Sequence, residues 1–361
     1  MKKSLIAPAM FGAFALALGG CATPPAATTA APAASTSTVP VSDFKACMVS
    51  DAGGFDDKSF NETSYAGLTK AKTELGVQSA EVQSKNDADY ARNVQAMVDA
   101  KCNIIVTVGF KLGDATQAAA KKNPEIKFAI VDYAYDKPQA NLKGLVFNTS
   151  EPSFLAGYLA ASLTKTGKVG TFGGMNIPTV TSFMDGYARG VAQYNTAKGK
   201  SVAVLGWSSA KKDGSFVAAG PEGFGDVAGG KKLAAGLMAQ GADVLLPVAG
   251  PSGEGALQAA QASGGKVASM WVDTDGCVSA SKYCAVIPSS VGKAMDVAVF
   301  EAIKAAKDGT FNNDVFVGTL ANSGAYLAPF NQWDSKVSAE TKAELEKIKA
   351  DIIAGTIKTT A

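Results

Sequence analysis

KACMVSDAGGFDDKSFNE, residues 45–62, decides the fold, because it runs without interruption from a strand through a polar loop into a helix. After Lys45 the next five residues, Ala46 to Ser50, carry no charge, the pattern of a strand buried in a parallel sheet. Ser59 opens a helix that runs to Leu75, and Glu62 three positions on completes a capping box. Asp56 and Asp57 read as a solvated acidic pair that favours the helix start. From Ser50 to Glu62 the chain carries two glycines, three aspartates, two phenylalanines and an asparagine. A turn that only joins a strand to a helix does not need so many polar groups beside aromatic rings.

The same alternation continues outward. A helix over Asp87–Ala100 buries Tyr90, Val94, Met97 and Val98, spaced as one face of a surface helix. NIIVTVGF (103–110), a helix from Leu112, KFAIVD (127–132) and LKGLVFN (142–148) follow. After a helix over Glu151–Lys165 the rhythm restarts with KVGTFG (168–173), a helix through TSFMDGYARGVAQY (181–194) and SVAVLGW (201–207). It goes on through a helix at 230–240, DVLLPVAG (243–250), a helix at 255–263 and a single strand KVASMWVD (266–273). YCAVIPSS (283–290) and a helix over Val291–Asp308 then return the chain to the first unit, and a charged helix, AETKAELEKIKADII (339–353), closes it. The class is α/β: two doubly wound, Rossmann-like lobes joined by a hinge. Residues 44–150 with about 280–317 make the first lobe, and 151–279 with about 318–361 the second.

Composition excludes several functions. The net charge of +2 is spread without a basic stripe, which gives no reason to expect a nucleic-acid partner. Histidine is absent, which removes histidine metal sites and histidine general bases. No GxxxxGK[ST] occurs, so nucleotide hydrolysis has no support.

Residues 1–20 are a leader: Lys2 and Lys3, then the apolar run LIAPAMFGAFALAL, too short for a comfortable membrane span. LGGC before residue 22 resembles a bacterial lipoprotein signal, with Cys21 as the lipidated N-terminus. Residues 21–43, rich in Ala, Thr, Pro and Ser, lack periodicity and form a flexible tether. Four cysteines remain, an even number in an exported chain, which invites disulfides. Cys277 and Cys284 enclose a short loop; Cys47 and Cys102 start two strands that can be neighbours. No CxxC spacing supports a metal site.

In a doubly wound sheet the ligand sits beyond the C-terminal strand ends. Those ends carry Asp51, Phe60 and Asn61, Gly109 and Phe110, Asp132, Phe183, Gly250, and Asp273 or Asp275, with Lys293 early in the helix after VIPSS. Phenylalanines from opposite lobes can clamp a flat ring, with stacking worth about 0.5–1.5 kcal/mol per pair beyond area burial. Asp and Asn read the edge of a heterocycle, and an Asp with a Lys holds vicinal hydroxyls.

DAGGFDDKSFNE, FAIVD, VGTFGGMNIPTVTSFMDGYARG, DVLLPVAGPSGEGALQAA, WVDTD and SSVGKAM resemble, in that order, the motifs of the basic membrane protein family of nucleoside-binding lipoproteins. The resemblance covers about Phe44 to Ile357. It implies a type I periplasmic-binding-protein-like fold and a monomeric, cofactor-free receptor on the extracytoplasmic face of the cell membrane. That receptor captures a purine nucleoside (inosine, guanosine or adenosine) and hands it to ABC permease subunits. On the matching positions it makes Phe60 and Phe183 the ring clamp and puts Asp51, Asn61 and Asp132 on the base side. Asp273 and Lys293 fall on the ribose and Gly250 where backbone nears the ligand. Trp271 stands where a glycine is usual, and Gly276 where a glutamine is common. A receptor for a sugar or other small polar ligand is the alternative reading; a nucleoside hydrolase lacks a recognisable catalytic constellation.

Overall fold

The computed structural model describes residues 40–360; the leader, Cys21 and most of the tether lie outside them. The chain begins with β1 (Lys45–Ser50), α1 (Phe60–Leu75), β2 (Gln78–Gln83), α2 (Tyr90–Asp99), β3 (Ile104–Val108), α3 (Gly113–Lys122), β4 (Lys127–Val131) and β5 (Leu142–Phe147). β1 and β3 are buried on both faces because successive side chains enter different cores. Ala46, Met48, Ile104 and Val106 join Leu68 and Val299 on one side, while Cys47, Val49 and Ile105 join Tyr90, Val94 and Phe128 on the other. Cys47 and Cys102 are joined by a disulfide across these strand starts, their Cα atoms 6.0 Å apart.

The second half adds α4 (Ser150–Leu163), β6 (Lys168–Gly173), α5 (Pro178–Lys198), β7 (Ala203–Leu205), a small ladder of β8 (Trp207–Ser208) with β9 (Asp213–Gly214), α6 (Val227–Ala239), β10 (Val244–Val248) and α7 (Glu254–Ala262). It ends with β11 (Ala268–Ser269), β12 (Trp271–Asp273), α8 (Gly276–Ser279), β13 (Ser290–Lys293), α9 (Met295–Lys307), β14 (Phe316–Gly318), β15 (Ala325–Leu327) and α10 (Ala339–Ile353). α4 is buried almost all round because it lies between α5 and α10 and against the linking strands.

Besides the β8-β9 ladder, the described residues form three sheets. The first is parallel with order β14-β5-β4-β3-β1-β2, and the second is parallel with order β11-β10-β6-β7. A third, β12-β13-β15, lies between them in the chain path, with β13 parallel to β12 and antiparallel to β15. The chain passes between the large sheets three times: from β5 to β6, through β13 into α9, and from β14 to β15. This is the α/β two-lobed architecture.

Four local expectations are corrected. KVASMWVD is not one strand: residues 268–269 pair with β10, and after Met270 residues 271–273 pair with β13. The helix expected from Val291 begins at Met295, because residues 290–293 are β13, hydrogen-bonded on both sides and fully buried. Lys293 therefore ends a strand instead of sitting in a helix. The chain from about 280 has not yet returned to the first lobe: Ala280, Tyr283, Val286 and Ile287 pack with Phe172 and Leu245 beneath the second sheet. Finally, Ser59 does not cap α1 with its side chain. Asp57, buried and not solvated, does so. Its Oδ1 accepts from Ser59 N and Glu62 N at 2.9 and 3.0 Å, its Oδ2 from Asn61 N at 2.9 Å, and Glu62 reaches back to Lys58 N at 2.9 Å. A carboxylate is the stronger acceptor for these amides, and the Ser59 hydroxyl is taken by a buried charge.

Candidate functional site

The C-terminal ends of β1, β3 and β4 in the first lobe face α5, the β10 end and β12 across a cleft of about 740 Å³, counting its open mouth. Asp51, Phe60, Asn61, Asp132, Phe183, Gly250, Asp273 and Lys293 all line it. Asp275 does not; it caps α8 by accepting from Cys277 N at 2.9 Å and takes a second bond from Asn331 Nδ2 at 3.0 Å. Of the two carboxylates the sequence left open, the cleft takes Asp273.

At one end three charged groups meet. Lys293 Nζ lies 2.7 Å from Asp132 Oδ2 and 3.0 Å from Asp273 Oδ1, and the lysine is 3 % exposed. Asp132 and Asp273 both take a left-handed conformation, φ 62° and 73°, which costs about 1–2 kcal/mol for a residue with a side chain and is tolerated best by Asp and Asn among such residues. Backbone strain held at two lining positions is a mark of functional sites. Ser59 Oγ donates to Asp273 Oδ2 at 2.6 Å. Burial pulls the Lys293 pKa down, but the two carboxylates more than offset it, so it stays raised and charged. Burial raises Asp132, with Lys293 pulling it back.

Two rings flank this lysine from opposite lobes. Its Nζ stands 4.5 Å from the Phe60 centroid and 5.6 Å from that of Phe183, so the ring centres are no more than about 10 Å apart. Both rings line the cleft.

The other end is a hydrogen-bonding wall. Asp51 Oδ1 accepts from Gly53 N at 3.2 Å and Asn61 Nδ2 at 2.8 Å, and Asn61 Nδ2 also donates to Asp57 Oδ2 at 3.0 Å. Burial raises Asp51, and the Asn61 and Gly53 donors pull it back toward the ionised form. Burial likewise pushes Asp57 up to about 6, against the hydrogen bonds it accepts. Gly250, at φ 50°, brings bare backbone to the rim where a Cβ would be strained.

The two departures from the family pattern are coupled. The Trp271 indole fills the space over Gly276, where an added Cβ would stand 2.7 Å from the Trp271 Cβ. Trp271 Nε1 then donates to Lys58 O at 3.2 Å. Lys58 itself reaches from the first lobe to Glu254 at the start of α7, 3.2 Å away, and Glu254 is held in place by Lys282 and Tyr283 at 2.9 and 3.0 Å. Sequence reasoning missed Thr179, Val180, Phe224 and Pro251 on the second rim, and Tyr90 on the first. Tyr90 was assigned to the buried face of α2, and nothing in a helical stripe reveals that the same residue also lines a cleft.

Strand ends of two α/β lobes that enclose a polar, aromatic-walled cleft define a bilobed solute-binding protein. The chain matches, over residues 44–358, the family of PnrA-like ABC transporter substrate-binding proteins, and it belongs to that family. It is 32% identical to the ABC transporter nucleoside-binding protein BmpA of Lactococcus lactis subsp. cremoris over 99% of both chains. It is 31% identical to basic membrane protein A of Borreliella burgdorferi, over 86% of this chain and 85% of the relative. An ABC transporter solute-binding protein from Aeropyrum pernix superposes with a TM-score of 0.77 at 26% identity, covering 87% of this chain and 92% of the other. The chain is a substrate-binding protein of an ABC transporter, and it binds its substrate without chemistry. Among the described residues no helix is long and apolar enough to cross a membrane.

Proposed function

We propose that the cleft captures a purine nucleoside. The base lies between Phe60 and Phe183, with its edge on Asp51 and Asn61 and the ribose hydroxyls on Asp273 and Lys293; Asp132, which the resemblance put on the base side, joins the ribose group in this reading because it pairs with Lys293 at 2.7 Å. The observation that carries this reading is the Lys293 centre, where two rings and two carboxylates from different parts of the chain converge on one ammonium. The carboxylates of Asp51, Asp132 and Asp273 outnumber the ammonium of Lys293 in this buried space, which suits a neutral ligand rich in O–H and N–H donors. A nucleotide would bring its phosphate against those carboxylates, so guanosine monophosphate is excluded where guanosine binds.

Capture is by closure of the lobes about the three linking segments, because one ligand then satisfies groups on both rims. In this reading the first lobe takes residues 44–150 with the return through α9 to about 317, and the second takes the remainder. Cys21 carries the lipid that holds the protein at the extracytoplasmic face of the cell membrane. The loaded monomer delivers its nucleoside to permease subunits. Calorimetric titration with inosine, guanosine and adenosine, with ribose as competitor, tests the reading. Saturable heat with at least one nucleoside supports it, and absence of heat with all three removes it.

A further inference from the structure

We infer that Tyr90 is a specificity-determining residue, and that with Asp51 and Asn61 it selects a guanine-type edge over an adenine-type edge. The inference rests on the nucleoside reading above. Tyr90 is 4% exposed, its ring packed with Cys47, Val49 and Phe128, and it lines the cleft; the Asp87 carboxylate stands near its hydroxyl but is itself paired with Lys111 at 3.1 Å, and the hydroxyl completes no hydrogen bond of good geometry among the described residues. Buried polar groups are rarely left unpaired, so an orphan hydroxyl on a cleft wall waits for a partner that arrives with the ligand.

Asn61 gives the same signal independently. Its Oδ1 is buried and unpartnered, while its Nδ2 donates to both Asp51 and Asp57. Those two carboxylates fix the amide, because turning it over would set a carbonyl against both. Asn61 therefore offers the ligand an acceptor. Asp51, whose Oδ1 already takes Gly53 and Asn61, offers its second oxygen, also an acceptor. Of the three, only Tyr90 brings a neutral hydroxyl donor: burial, then the nearby Asp51 and Asp87 carboxylates, raise its phenol above the ordinary range.

Two acceptors beside one donor complement guanine, whose edge presents N1–H and an N2 amine beside O6. Hypoxanthine lacks the amine, and adenine turns an acceptor, N1, toward Asp51. Spacing agrees with this placement. Asp51 follows β1 and Asp132 follows β4, two strand steps away in the first sheet, about 10 Å, which suits a ribose at one end and a base edge at the other.

The test is calorimetric titration of the protein, and of Tyr90→Phe, with guanosine, inosine, adenosine and 1-methylguanosine. Guanosine binds tightest, inosine about 5–10-fold weaker, and adenosine and 1-methylguanosine at least about 30-fold weaker. Tyr90→Phe weakens guanosine and inosine about tenfold and leaves adenosine within about threefold. A packing role for the hydroxyl would weaken all of them alike. Adenosine equal to guanosine, unimpaired 1-methylguanosine, or unchanged guanosine affinity in Tyr90→Phe overturns the inference while leaving nucleoside capture standing. The methylated ligand needs no variant, so misfolding of Tyr90→Phe does not spare the inference. Failure of every purine nucleoside to bind overturns the parent reading and this one together.

Discussion

Replacing Lys293 by methionine removes the ammonium that pairs two carboxylates of the cleft. The lysine is 3 % exposed and pairs with Asp132 at 2.7 Å and Asp273 at 3.0 Å. Methionine keeps an unbranched apolar stem but leaves two buried carboxylates without their counter-ion, a loss that costs about 3–5 kcal/mol. With an unfolding entropy of about 0.7 kcal/mol per kelvin for a chain of this size, the melting temperature at pH 8 falls by about 4–7 °C. The deficit depends on pH, and its sign follows from Asp132. Burial raises that carboxyl and Lys293 pulls it back, so without the lysine it is raised further. A carboxyl whose folded pKa exceeds its unfolded value binds protons preferentially in the folded state. Stability then falls as pH rises through the folded pKa and returns as pH drops below it. As pH falls from 8 to 5 the variant takes up this proton more readily than the parent protein, and the deficit shrinks. Adding Asp132→Asn recovers part of the loss at pH 8, since one of the stranded charges is gone. Scanning calorimetry of the three proteins at both pH values reads these shifts. An equal deficit at the two pH values, or one under about 1 °C at pH 8, refutes the triad as a buried ion-paired unit.

Lys58→Ala breaks the pair with Glu254 across the lobes; because Lys58 is 42% exposed, stability changes by less than about 1 kcal/mol while release of the bound substrate quickens about threefold. Stopped-flow release with an unchanged rate counts against a cross-lobe latch. The two disulfides differ in the loops they close, with separations of 55 residues for Cys47–Cys102 and 7 for Cys277–Cys284. Chain entropy assigns them about 4 and about 2.5 kcal/mol, so replacing the first pair by alanine lowers the denaturant midpoint more than replacing the second. The opposite order in urea unfolding contradicts that account.

The reading of the fold came from continuous apolar strands alternating with amphipathic helices, a signal that is local and therefore visible in one dimension. The errors cluster where tertiary pairing overrode it. Val291 and its neighbours continue smoothly into a helix by pattern, yet both edges of that segment are claimed by β12 and β15, and Lys293 ends a strand. KVASMWVD reads as one strand because its composition is uniform, but its two halves find partners in different sheets. A capping box at Ser59 fits the sequence rule; the nearby Asp57 carboxylate and the demand of buried Asp273 redirect both groups.

What the sequence determined by itself was the α/β class, the duplicated arrangement and the identity of the residues at the strand ends, because periodicity and strand termini are properties of neighbouring residues. Only the tertiary structure chose Asp273 over Asp275, set Trp271 against Gly276 and brought Tyr90 to the cleft. Each of these depends on which way a side chain leaves its backbone and on what distant element stands opposite, and a burial pattern along the chain reports neither.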